Sequence, residues 1–186
     1  MSLYRKMDSI FNVLILLAEI PGFYIVLKKD GLKTFVYYTE IANLLASIAS
    51  LIYLIDPLKA SVLRYTATCM LTLTFLTVVF VLGPADGYKR QLLDENSFYQ
   101  HVLVPFLSFV SYVFMEGHRS LWPVPIILSM AYGSFMFYMN DIKKIDGPYP
   151  FFRTKEQGYK ASILWFTVLF ILILSVSLLV KFLAGE

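Results

Sequence analysis

Six long apolar runs, almost free of charged residues, constrain the fold of this 186-residue chain more than any other feature of its sequence. Each run holds 18 to 23 residues, which is enough for an α-helix to cross the roughly 30 Å hydrocarbon core of a bilayer. The 16 Lys and Arg and 13 Asp and Glu residues avoid these runs, and only Glu19, Glu40, Arg64 and Lys181 fall inside them. The runs are 10–27, 36–55, 62–82, 98–115, 122–139 and 161–183.

The composition favours the same interpretation. Hydrophobic residues make up 58% of the chain and charged residues 16%, whereas soluble domains carry about 25% charged residues. A single domain of this length could not hide so much apolar surface from water. The sequence therefore disfavours a soluble enzyme, a disordered chain and, with a net charge of only +3, a nucleic-acid-binding module. It predicts an all-α, multi-pass integral membrane protein: one domain over residues 1–186, folded as a six-helix transmembrane bundle with the lipid bilayer as its partner.

Two polar residues stand at matching positions in the second and fourth predicted helices. Thr39 and His101 are each the fourth residue of their run, about 5 Å along a helix that rises 1.5 Å per residue. With simple hairpin connections these two helices run in the same direction, so both residues lie at the same membrane face. A Thr hydroxyl becomes a nucleophile when a base such as imidazole accepts its proton. The pair is a candidate nucleophile and base, although a Thr in a membrane helix usually bonds its own backbone carbonyl.

Other polar residues in the runs receive separate interpretations. Asn43 follows Thr39 by one helical turn, so its amide shares that face and could donate to an oxyanion. Glu19, near the middle of the first run, is expected to be buried and protonated, as a proton relay, a polar pocket floor or a carboxyl bonded to a neighbouring helix. Glu40 points about 100° away from Thr39 and is expected to reach the interface. Arg64, near a helix start, is expected to be an interfacial anchor.

The sequence offers no metal-ligand pattern, and we expect neither a metal nor a cofactor. His118 follows His101 by 17 residues, about 25 Å along a continuous helix, so the two lie at opposite faces. The single cysteine, Cys69, lies in an apolar run, where a Cys usually packs as a small hydrophobe.

Several short motifs together resemble a known family. They are Tyr37-Tyr38-Thr39 with Asn43, His101 with Pro105, Leu121-Trp122-Pro123, and the segment Gly147-Pro148-Tyr149-Pro150-Phe151-Phe152. In this order the chain resembles the androgen-induced and androgen-dependent TFPI-regulating membrane hydrolases and their small prokaryotic relatives, with Ala42 where relatives often carry Ser. The resemblance implies a six-helix threonine hydrolase that cleaves fatty acid esters of hydroxy fatty acids, with Thr39 and His101 in the catalytic roles.

The resulting hypothesis is an intramembrane hydrolase of fatty-acyl esters. The apolar, proline-rich stretch 148–152 is expected to fold over the helix ends and form the rim of the site. The pocket or its rim is expected to contain Glu19, Tyr38, Pro105, Phe151 and Phe152. Two alternatives remain at this point: a lipid acyltransferase of the same fold, or a protein from another class, either a proton-coupled transporter or channel using Glu19 and His101, or a structural subunit.

Overall fold

A computed structural model describes residues 3–116, 119–142 and 149–186. All regular structure within these ranges is helical. The long helices are α1 (Leu3–Asp30), α2 (Tyr38–Ile55), α3 (Pro57–Asp86), α4 (Phe98–Glu116), α5 (Pro123–Asp141) and α6 (Tyr159–Leu183). Short helical segments cover Gly31–Val36, Lys89–Leu93, Pro150–Phe152 and Thr154–Gln157. His118, whose membrane face was predicted above, and the motif residues Gly147 and Pro148 lie outside the described residues.

The structure confirms an all-α chain with several helices of membrane-spanning length. Within the described residues, α1, α2, α3, α4 and α6 are long and apolar enough to cross a membrane. The predicted fifth run corresponds to α5, which is 19 residues long but ends in the polar pair Asn140 and Asp141.

The helix α3 begins five residues before its predicted run, and its capping explains why. The Asp56 side chain accepts hydrogen bonds from the N–H groups of Leu58 and Lys59 at 3.2 and 3.3 Å. Pro57 occupies the first turn, where its missing N–H costs nothing. The start of α3 is therefore set by polar residues that an apolar-run analysis leaves in a loop.

The chain runs up and down through the bundle, as side-chain contacts between helix ends show. Tyr53, near the end of α2, donates to Asp8, near the start of α1, at 2.9 Å. Tyr65 of α3 donates to the Ser177 carbonyl near the end of α6 at 2.7 Å. The central helix is α3, which packs against α2, α4, α5 and α6. It approaches α2 closely because buried alanines line both helices, namely Ala42, Ala46, Ala49, Ala60 and Ala67.

Two proline residues reshape the helices that carry the site. Pro84 and Pro105 have no N–H to bond the carbonyls of Phe80 and His101, four residues earlier. Each follows a π-helical segment, Val78–Leu82 in α3 and the one containing His101 in α4. Wider turns of this kind recur at functional sites. Pro105 is buried and is not among the residues that line the two cavities described below, which differs from its predicted place in the pocket or its rim.

Arg64 corrects the expectation of an interfacial anchor. Its side chain is fully buried and bonds Glu116 of α4 through two nitrogens, Nε to Oε2 at 2.8 Å and Nη2 to Oε1 at 2.9 Å. Asn12 of α1 and Ser111 of α4 also donate to Glu116, at 2.9 and 2.5 Å. The planar guanidinium matches both carboxylate oxygens, so this pair holds three helices together instead of reaching for water.

Candidate functional site

Thr39 lies in the first turn of α2, where two cavities meet. The residue is buried and lines both an apolar cavity and a polar cavity. The residue before the helix, Tyr37, has extended backbone geometry, so the first N–H groups of α2 have no partner within the helix. Tyr149 and Leu82 also line both cavities.

The apolar cavity extends from Thr39 toward the middle of the bundle and has a volume of about 50 Å³. Its walls come from α2, α3, α5, α6 and the segment that contains Phe151 and Phe152, both buried. Polar groups in the wall are bonded within the protein: the Tyr38 and Ser129 hydroxyls lie 2.6 Å apart, and Tyr132 donates to the Val36 carbonyl at 2.8 Å. The remaining surface suits a hydrocarbon chain. Further lining residues are Leu73, Thr74, Met130, Gly133, Phe166 and Leu169.

The polar cavity is larger, about 290 Å³, which leaves room for several water molecules. His101 and Thr39 both line it. Charged and polar side chains complete the wall, namely Lys29, Asp30, Glu40, Asp86, Arg90, Gln91 and Asn96. Water in this cavity can therefore reach the threonine that also borders the apolar cavity.

The His101 ring is held in one tautomer by a backbone carbonyl. Its Nδ1 lies 2.7 Å from the Gln91 oxygen, and because a carbonyl only accepts, Nδ1 carries the hydrogen and Nε2 keeps its lone pair. A neutral imidazole held in this way can act as a base. Among the described hydrogen bonds none joins His101 to Thr39; the cavity that both residues line lies between their helices.

Tyr149, which the sequence reasoning did not single out as a site residue, contacts the candidate nucleophile. Its phenol oxygen accepts the Tyr38 N–H at 3.1 Å, and Thr39 lies close enough to affect the pKa of the phenol. Its ring stacks on Phe151 with centroids 5.1 Å apart. Burial raises the pKa of Tyr149 to about 12, although the nearby Thr39 and the Tyr38 N–H act against the increase. The phenol is therefore neutral at physiological pH.

Asn43 is fully buried and connects α2 to α4. Its Nδ2 donates to the Thr39 carbonyl at 2.9 Å and to the Gln100 carbonyl at 3.3 Å. Both amide hydrogens are therefore engaged, and none is left for the oxyanion that the sequence reasoning assigned to Asn43. This residue instead fixes the helix that carries Thr39 against the turn that carries His101.

The two glutamates of the α1 and α2 runs, Glu19 and Glu40, are both buried. Glu19 is 2% exposed, as expected from the sequence, and its two oxygens have no hydrogen-bond partner. Glu40 is 5% exposed, which corrects the expectation that it reaches the interface. It stays inside because Gln100 Nε2 donates to its Oε2 at 2.7 Å, a partner on α4 that spacing along α2 could not reveal.

Comparisons of the chain with protein-family models, with curated proteins and with solved structures find no match. Within the described residues, no three His, Cys, Asp or Glu side chains form a group that could hold a metal ion. The fold and site thus define a class in physical terms: an all-helical protein with membrane-length apolar helices, in which Thr39 separates a hydrophobic cavity from a polar one that contains His101.

Proposed function

We propose that this protein is a six-helix, multi-pass membrane hydrolase that cleaves fatty-acyl esters with Thr39 as nucleophile and His101 as base. The observation that carries the proposal is the position of Thr39 on the shared wall of an apolar and a polar cavity. In this proposal the apolar cavity receives the part of the acyl chain next to the ester, and the polar cavity supplies the water. In this proposal α5 also spans the membrane, which brings the number of spans to six. Its 19 residues measure about 28 Å along a helix.

The proposed reaction has two steps. His101 Nε2 takes the Thr39 proton as the hydroxyl attacks the ester carbonyl, and the proton then passes to the departing alkoxide, leaving an acyl-threonine. Water from the polar cavity, deprotonated by His101, attacks the acyl-threonine, and His101 returns the proton to the Thr39 oxygen as the fatty acid is released. The products are one acid and one alcohol, and Thr39 is restored.

The N–H groups of Tyr38 and Thr39 are the proposed oxyanion donors. They lie at the N-terminus of α2, where the helix dipole favours negative charge. In the structure the Tyr149 oxygen bonds with this first turn. The substrate carbonyl oxygen would take its place.

Labelling with a fluorophosphonate probe tests the proposal directly. The purified protein in lipid nanodiscs is expected to form a covalent adduct that mass spectrometry locates on Thr39. A long-chain fatty acid ester of a hydroxy fatty acid is expected to block the labelling. Failure to label would favour the transporter or structural alternatives, and an adduct on another residue would show that Thr39 is not the nucleophile.

Acyl transfer is a second candidate because the polar cavity is far larger than one water molecule requires. A lipid alcohol bound there could attack the acyl-threonine in place of water. Adding a long-chain alcohol during turnover distinguishes the two: a hydrolase releases mainly free fatty acid, and a transferase releases mainly the new ester.

Gly133 is expected to control which acyl chains are accepted. A Cβ at this position would lie 3.0 Å from Cε2 of Phe166 and 3.6 Å from Cζ of Phe152. The narrow apolar cavity must therefore lose space to the methyl or to the displaced ring. We expect Gly133→Ala to raise KM severalfold for long-chain esters and to leave short-chain esters unaffected. Equal changes for both chain lengths would contradict this role.

Tyr149→Phe is expected to raise kcat/KM severalfold while lowering stability by about 1 kcal/mol. In the proposed mechanism the phenol oxygen must move away from the first turn of α2 before the substrate carbonyl can bind there. Without this oxygen the variant does not need that movement, so substrate binds more readily. The ring stack on Phe151 is retained in the variant. Steady-state kinetics and thermal unfolding measure the two effects, and a large loss of kcat would show instead that the phenol takes part in the chemistry.

A further inference from the structure

Three buried acceptor oxygens between α1, α2 and α4 have no donor. They are both carboxyl oxygens of Glu19 and the Oδ1 of Asn43. The two side chains are 2% and 0% exposed. Buried polar atoms are almost always hydrogen-bonded in native proteins, so this group of oxygens indicates a bound species that supplies a proton or a positive charge.

Contacts with Gln100 place these oxygens in one region. Gly22 follows Glu19 by less than one turn of α1, and a Cβ on Gly22 would lie 3.1 Å from Cγ of Gln100. Asn43 donates to the Gln100 backbone carbonyl at 3.3 Å. Glu19 from α1 and Asn43 from α2 therefore converge on the same turn of α4.

A second carboxyl and a hydrogen-bonded chain link this region to the polar cavity. On α2, the titratable group whose charge acts on Glu19 is Glu40. On α4, the side chain that contacts Glu40 is the neutral Gln100. Gln100 donates to Glu40 at 2.7 Å, and Asn96 donates to Gln100 Oε1 at 3.1 Å. Both Glu40 and Asn96 line the polar cavity. No ion pair among the described residues involves either carboxyl.

We propose that Glu19 and Glu40 form a proton-binding site in the membrane interior, which exchanges its proton with the polar cavity through Glu40. Two buried carboxylates that have no ion-pair partner repel each other, and one proton relieves the repulsion. In the proposed site the hydroxyl of protonated Glu19 donates to Asn43 Oδ1, and this bond would give two of the three oxygens a partner. The site does not depend on the ester chemistry at Thr39.

Infrared spectroscopy of the protein in lipid tests the site. With isotope-labelled glutamate, wild-type protein is expected to show the C=O band of a protonated carboxyl at pH 7, and the band is expected to shift in D2O. Glu19→Gln should remove this band, and Glu40→Gln should change its frequency. Glu156→Gln, which alters a mostly exposed carboxyl, is the matched control and should leave it unchanged.

Three results would overturn the proposal. The first is the absence of a protonated glutamate band at pH 7 in the labelled wild-type protein, a measurement that requires no variant to fold. The second is a band that persists in Glu19→Gln. The third is loss of the band on addition of Na⁺ with a rise in thermal stability, which would show that the site binds a metal cation instead.

Discussion

Thr39→Ala is expected to lower ester hydrolysis by at least about a thousandfold, because removal of a nucleophile eliminates the covalent route. Only about 1 kcal/mol of stability should be lost with the hydroxyl. Activity on a fatty acid ester of a hydroxy fatty acid, measured beside thermal unfolding, separates the two effects. If Thr39→Ala keeps full activity, the threonine mechanism is wrong.

Thr72→Ala is the matched control for this variant. The Thr72 hydroxyl donates to the Thr68 carbonyl of its own helix at 2.8 Å, and Thr72 is not among the residues that line either cavity. The same atoms are removed from a long apolar helix at a position away from both cavities, so activity should be unchanged.

His101→Asn separates the base from the scaffold. The Asn amide can still donate to the Gln91 carbonyl, as Nδ1 does, but it offers no basic nitrogen. We expect hydrolysis to be lost and stability kept, whereas His101→Ala should lose both. Full activity in His101→Asn would exclude the imidazole as the base.

The long helices were predictable because the exclusion of charge from lipid leaves a strong signal in the sequence. The positions of Thr39 and His101 at one end of the bundle follow from the same spans, since α2 and α4 both start there. Part of the cavity wall was predictable as well. The stretch with Phe151 and Phe152 is apolar, so burial of these two side chains in the fold is favourable.

Partners that come from distant parts of the chain could not be predicted. Tyr149 meets Tyr38 across 111 residues, and Gln100 meets Glu40 across 60. Spacing within one helix indicates the face on which a side chain lies, but not whether its donors are already used, and for this reason Asn43 was assigned to an oxyanion. Arg64 was expected to reach water because it lies near a helix end. That expectation fails because Glu116, a partner of opposite charge, is buried beside it.

Arg64→Met is expected to lower the free energy of unfolding by about 3–5 kcal/mol, the usual effect of leaving one member of a buried ion pair without its partner. Glu116 would then hold a buried negative charge that only Asn12 and Ser111 stabilise. Glu116→Gln removes this charge and keeps an acceptor for both donors. In the double variant the loss should be clearly smaller than the sum of the two single losses.

Lys59→Ala is the control for this double-mutant cycle, because it removes a cation from an ion pair that water screens. The Lys59 Nζ lies 3.2 Å from Oδ2 of Asp56, but the Lys59 side chain is 80% exposed. Lys59 lowers the pKa of Asp56 by hydrogen bonding, yet pairs of this kind contribute little to stability, so the midpoint of denaturation in detergent micelles should not move. Strictly additive losses for Arg64→Met and Glu116→Gln would show that the pair is not coupled. The contact between α3 and α4 would then rest on packing and on other hydrogen bonds, such as the one between the Thr68 and Ser108 hydroxyls at 2.8 Å.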